Sequence, residues 1–133
     1  MAAIQPQLFV RRGRAAVDFY RDAFGAIELM RVGGTDEHEE VVAQLAVGDA
    51  VFWVHDEAPE YGSVSPESAG GATVRLTLIV DDPAPLLRRA VELGAEELAP
   101  LHDEHGWRLG RIVDPFGHHW EVGKPLGPWP PRH

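Results

Sequence analysis

One spacing recurs along this chain. Gly25-Ala26 and Gly94-Ala95 lie 69 positions apart, and Gly48 and Gly117 are separated by the same interval. The first pair closes an amphipathic stretch and the second turns the chain between apolar runs, so a helix end and a hairpin turn return at one period. The 133 residues hold just under two copies of that period, which implies duplication of one supersecondary unit. The chain is thereby limited to folds built from two similar halves.

Each half reads as βαβββ. In the first, residues 4–10 read as a strand and 14–24 as a helix with Val17, Tyr20 and Phe24 on its apolar face, Phe19 beside them and Gly25 closing it. Strands are predicted over 27–32 and 40–47, joined by a polar stretch with Gly33 and Gly34, and over 50–55 after the Gly48-Asp49 turn. In the second half, a strand over 73–80 leads to Asp82 as N-cap and Pro83 at the first helical position. The helix runs through Leu86, Leu87, Ala90, Val91 and Leu93 to Gly94, followed by strands over 96–98, 107–113 and 118–122. The expected fold class is α+β: two βαβββ modules forming a curved mixed sheet with helices on the outside.

The chain is one domain's length. Module one spans about 4–55 and module two about 73–126. Between them, 56–71 is rich in Pro, Gly, Ser and acids without periodicity, a linker or mobile loop. Residues 127–133 read as an irregular, proline-rich tail.

The run 114–122, Asp-Pro-Phe-Gly-His-His-Trp-Glu-Val, is a turn delivering a strand. Alternation puts His119 and Glu121 on one face and His118, Trp120 and Val122 on the other. Applied throughout, it gathers Leu8, Val10, Phe52, Val54, Leu76, Leu78, Val80, Trp120 and Val122 as a core. The opposite faces carry Gln5, Gln7, Phe9, Trp53, His55, Arg75, Thr77, Ile79, His119 and Glu121, a mixed set suited to a ligand cleft. A carboxylate on such a strand needs a cation, a metal or a ligand.

The doubled βαβββ order, the Asp18-Phe19-Tyr20 to Phe24-Gly25-Ala26 helix and the 114–121 run resemble the vicinal oxygen chelate superfamily. It includes glyoxalase I, the bleomycin-resistance proteins, the fosfomycin-resistance enzymes and the extradiol dioxygenases. The resemblance implies paired modules curling into a cleft, with four metal-ligand positions in the glyoxalase I type. Those positions fall on Gln5, Trp53, Arg75 and Glu121 here. An amide oxygen and a carboxylate can bind a divalent ion; indole offers no lone pair and guanidinium stays protonated. The expectation is therefore no metal cofactor, with Arg75 the cation that Glu121 needs.

Other groupings have plainer readings beside the functional one. His118 and His119 point to opposite faces and cannot grip one ion from one strand, while His102 and His105 fall in an expected loop. Trp53, Trp107 and Phe9 are either ligand-stacking walls or core aromatics. Arg11, Arg12 and Arg14 read as a solvated cluster before the first helix.

The resulting expectation is a metal-independent small-molecule binding protein. Phe9, Trp53 and Trp107 form its walls, Arg75 and Glu121 its polar anchors, and Gln5, Gln7, His55, Thr77 and His119 its remaining lining. The alternative is a metal-dependent lyase or isomerase resembling glyoxalase I, in which Glu121 is ligand and catalytic base; the third class is a structural module with no ligand. The resemblance implies a homodimer, with modules pairing within or between chains. With 21 acidic and 12 basic residues and a net charge of −9, nucleic acid and anionic membrane are not expected partners. No cysteine, no apolar run of about 20 residues and no signal-peptide layout point to a cytoplasmic protein.

Overall fold

The computed structural model describes residues 1–131. Arg132 and His133, the end of the expected tail, lie outside the described residues. In chain order the elements are β1 (Gln7–Val10), α1 (Gly13–Phe24), β2 (Ile27–Gly33), β3 (Val41–Val47) and β4 (Ala50–Asp56), then a 3-10 turn (Pro59–Tyr61) and α2 (Pro66–Ala69). There follow β5 (Arg75–Ile79), α3 (Pro83–Glu92), β6 (Glu96–Glu104), β7 (Trp107–Val113) and β8 (His119–Pro125). The two halves have one topology: sheets ordered β1-β4-β3-β2 and β5-β8-β7-β6. In each, the first and last strands of the module pair in parallel and the rest antiparallel. The fold is α+β, two βαβββ modules with mixed sheets that stay separate rather than closing into one.

Each helix forms where the pattern calls for it. Val17, Phe19, Tyr20 and Phe24 are buried along one stripe of α1, and Gly25 ends it in the left-handed region at φ 69°, an angle costly for residues with a Cβ. In α3, Pro83 takes the first position as expected, but the Asp82 side chain makes no capping hydrogen bond. Leu8, Val10, Phe52 and Val54 of the first sheet and Leu78, Trp120 and Val122 of the second join the two helices in one cluster, with Leu76 and Val80 packed against it.

Several boundaries differ from expectation for identifiable reasons. β1 begins at Gln7 rather than at Ile4, which is almost fully exposed, because Pro6 contributes only its carbonyl, accepting from the Trp53 N–H. β6 runs nine residues rather than three, passing Pro100 through two register shifts; an edge strand tolerates the missing N–H. That places His102 on a strand instead of in a loop. The segment 56–71 is not a bare tether, since Ser65 is fully buried and caps α2, and Glu57 accepts from the Ser65 N–H and the Ser68 hydroxyl. Leu126 donates to the Gly106 carbonyl, pinning the start of the tail to the β6–β7 turn.

The most buried acid is Asp114, at 3% exposure. Its Oδ1 accepts from the Phe116 and His118 N–H groups at 2.9 and 3.0 Å, which shapes the Asp-Pro-Phe-Gly turn. Its Oδ2 accepts from the Trp120 indole N–H at 2.9 Å and from the Tyr20 hydroxyl. Burial first, then the charge and hydrogen bond of Asp114, push the Tyr20 hydroxyl well above its ordinary pKa, so it remains a donor. The run singled out for its chemistry therefore locks the second module's last turn onto the first module's helix.

Candidate functional site

Strand alternation fixes where the candidate residues sit, and core packing fixes how the two faces relate. Phe52 on β4 and Trp120 on β8 meet in the core with ring centroids 5.7 Å apart. The next residue on each strand, Trp53 or Glu121, leaves on the far side of its own sheet. The candidates accordingly divide into two faces that point away from each other.

The first face carries Gln5, Gln7, Phe9, Trp53 and His55. Gln7 lies opposite Trp53 and Phe9 opposite His55 across the parallel β1–β4 pair. Gln5 Oε1 accepts from the Trp53 indole N–H at 2.9 Å and from Gln44 Nε2 at 3.3 Å. The rings of Phe9 and Trp53 flank His55 at 5.2 and 6.3 Å. Gln44, opposite Trp53 on β3, belongs to this face and escaped the sequence reading; it alternates with buried Val41, Ala43 and Leu45, which is the signal that identifies it.

His55 Nε2 is buried and has no hydrogen-bond partner among the described residues. Burial holds this imidazole below its ordinary pKa. The unfolded chain therefore takes up the proton first as pH falls, and the contribution of neutral His55 to stability is lost as pH falls through about 6.5 toward the folded value. Urea unfolding from pH 7 to pH 5 should show a steeper loss of stability for the parent than for His55→Phe. Equal slopes would refute the assignment.

The second face carries Arg75, Thr77, Trp107, His119 and Glu121. Arg75 lies opposite His119, and Thr77 opposite Glu121, across the parallel β5–β8 pair. Arg75 Nη1 donates to Glu121 Oε2 at 3.2 Å, their side chains 46% and 21% exposed. Arg75 is thus paired with Glu121 as expected, but through a single contact, and at this exposure it contributes about 0–1 kcal/mol. Trp107, Leu109, Thr77, Glu121, Glu104 and Gly123 line a cavity of ≈ 340 Å³. Arg111 lies directly opposite Glu121 on β7, alternating with buried Gly110 and Ile112, and was also overlooked. Trp107 packs edge-on to Trp129 at 5.1 Å.

No hydrogen bond or ion pair among the described residues joins Gln5 or Trp53 to Arg75 or Glu121. The four positions do not fit a divalent ion: two of the side chains are not donors, and Arg75 brings a positive charge to Glu121. Among the described residues no cluster of three or more His, Cys, Asp or Glu has metal-holding geometry. Of the remaining groups, His118 Nε2 binds the Phe9 carbonyl at 3.0 Å, a tie between the modules. His102 contacts Glu104 at 3.0 Å, and hydrogen bonds to the Pro100 carbonyl and to Glu104 raise its pKa. Arg11, Arg12 and Arg14 face Glu57, Glu67 and Asp36 at 3.8, 3.5 and 3.2 Å, an exposed, charge-paired cluster. No helix among the described residues is long and apolar enough to cross a membrane.

Comparison with known proteins places this geometry. The chain is 38% identical over 128 residues to an uncharacterised protein of Mycobacterium bovis, covering 93% of this chain and 84% of that one. An uncharacterised Mycobacterium tuberculosis protein matches at the same identity, covered to 75%. Among solved structures, TioX from Micromonospora sp. ML1 superposes with a TM-score of 0.71 at 26% identity, over 96% of this chain and 98% of that one. The fosfomycin resistance protein FosX from Mesorhizobium loti superposes at 0.69 and 15% identity, over 96% and 93% of the two chains, a likeness of fold. The model of the Glyoxalase/Bleomycin resistance protein/Dioxygenase superfamily matches residues 3–122, and the chain belongs to that superfamily.

Proposed function

We propose that this chain is a metal-independent small-molecule binding protein, similar to the bleomycin-resistance proteins of its superfamily, whose cleft is completed by a second copy. The opposed orientation of the two faces carries the reading. Each is half a cleft: one has aromatic walls at Phe9 and Trp53, the other a floor of Trp107, Leu109 and Thr77 with Arg75 and Glu121 as anchors. Laying one chain's first face over its partner's second face gives an apolar pocket with few polar groups, the usual composition of a small-molecule site. Two such sites form per homodimer. Exposed apolar side chains around these faces, Ile27, Val32, Val74 and Ile79, form surface that a partner would cover.

The test is a tryptophan-fluorescence titration with a panel of planar aromatic compounds. A saturable response is expected, with affinity lowered in Trp53→Ala and in Glu121→Ala. No response from any compound, or variants indistinguishable from the parent, would count against binding at these faces. Stoichiometric nickel, zinc, iron or manganese in protein purified without a chelator would instead favour the lyase or isomerase reading.

A further inference from the structure

We infer that the second face holds an anion subsite centred on Arg111, so that the ligand of the proposed cleft carries a carboxylate or phosphoryl oxyanion on an apolar body. This rests on the small-molecule reading above and specifies its chemistry. Every other arginine among the described residues, except Arg88 on the exposed side of α3, lies within 4.0 Å of a carboxylate. Among the described residues Arg111 forms no such pair, although it is only partly exposed and the chain has 21 acids. Its neighbours across the sheet explain why. On β6 it faces Ala99, which carries no charge, and on β8 it faces Glu121. Glu121 Oε2 is already taken by Arg75.

One carboxylate thus lies between two guanidinium groups on adjacent strands. Arg75, Arg111 and Glu121 together carry one net positive charge, in a chain whose formal net charge is −9. His119, in register with Arg75, adds no negative charge. Glu104, on the wall of the same cavity, is near enough for the Arg111 charge to help lower its pKa, but among the described residues it is within 4.0 Å of no arginine and is held instead by His102 at 3.0 Å, with His105 at 3.6 Å. The face proposed to close over it offers Gln5, Gln7, Gln44 and His55 from β1, β3 and β4 and their approach, with no carboxylate among them. Closing the cleft would remove water from Arg111 without supplying a counter-charge, which is costly unless the ligand brings one. Guanidinium is suited to that role, since its planar fork matches two oxygens of a carboxylate or phosphate. Trp107 and Leu109, on the same strand and face, would receive the apolar body.

Four probes of one size decide the matter: benzoate, phenyl phosphate, neutral benzamide and cationic benzamidine, each titrated by tryptophan fluorescence and calorimetry. The two anions should bind more tightly than benzamide, and benzamidine most weakly. Arg111→Gln should weaken benzoate by on the order of tenfold and leave benzamide unchanged, with its unfolding midpoint unaltered. Arg111→Lys should recover part of the loss, and Arg88→Gln should have no effect. Benzamide or benzamidine binding as tightly as benzoate, or full benzoate affinity in Arg111→Gln, would overturn the anion subsite while leaving the small-molecule reading intact. No saturable response to any of the four would overturn both.

Discussion

Replacing Asp114 with alanine is expected to lower the unfolding free energy by about 3–5 kcal/mol, read as a shift of the urea midpoint on the order of 2 M. Four donors lose their acceptor at once: the Phe116 and His118 amides, the Trp120 indole and the Tyr20 hydroxyl. Tyr20 and Trp120 pack against each other in the aromatic part of the core, with centroids 5.7 Å apart, and water cannot reach them without opening it. A buried donor left unpaired costs more than the net contribution of the hydrogen bond it made. Asp114→Asn should lose less. Its amide oxygen can still serve the two turn amides, whereas its NH₂ would meet the indole and hydroxyl donor to donor. Because Tyr20 belongs to the first module and Asp114 to the second, the alanine variant should also loosen the contact between modules, seen as faster amide exchange in both. An Asp114→Ala protein within about 1 kcal/mol of the parent would show that the carboxylate is not the structural tie described.

Gly123→Ala should also be damaging, lowering stability by roughly 2–3 kcal/mol. Gly123 lies opposite Leu109 in the β7–β8 pair. A Cβ there would collide with the Arg108 carbonyl oxygen and stand 2.7 Å from the Leu109 Cβ. The first of these is backbone, so the two strands must part or slide. Gly123 also lines the ≈ 340 Å³ cavity, and a shift of β8 would carry Glu121 with it. The variant should therefore lose affinity for aromatic probes as well as stability. Gly127→Ala is the control, since its added Cβ meets nothing within 4 Å, and it should stay within about 0.5 kcal/mol of the parent. Parent-like stability in Gly123→Ala would mean that β7 and β8 are not held as closely as their register implies.

Sequence reached the fold because its signals are local. The helical stripe of Val17, Tyr20 and Phe24 and the alternation on each strand depend only on neighbours in the chain, and the 69-residue echo shows that the βαβββ unit they specify occurs twice. The same alternation sorted Trp53 from Phe52 and Glu121 from Trp120 correctly. What it cannot express is the stacking of one sheet on another. Residues on the open face of each sheet look like one cleft when listed together, yet the Phe52–Trp120 contact turns the two faces apart. Asp114 was read as a turn residue for a similar reason, since its hydroxyl partner Tyr20 lies 94 positions away. The strand expected over 96–98 runs on past Pro100, because it is an edge strand, where a missing N–H and two register shifts are tolerated. Arg111 and Gln44, by contrast, were within reach: each alternates with buried neighbours, and the parity that found Trp53 and Glu121 finds them too.

The central claim is a metal-free cleft whose halves come from two chains, and native mass spectrometry of protein purified without a chelator tests it most directly. The expected result is a species of twice the 14.6 kDa chain mass with no metal adduct. A monomer at micromolar concentration, or a dimer carrying one divalent ion per chain, would contradict it.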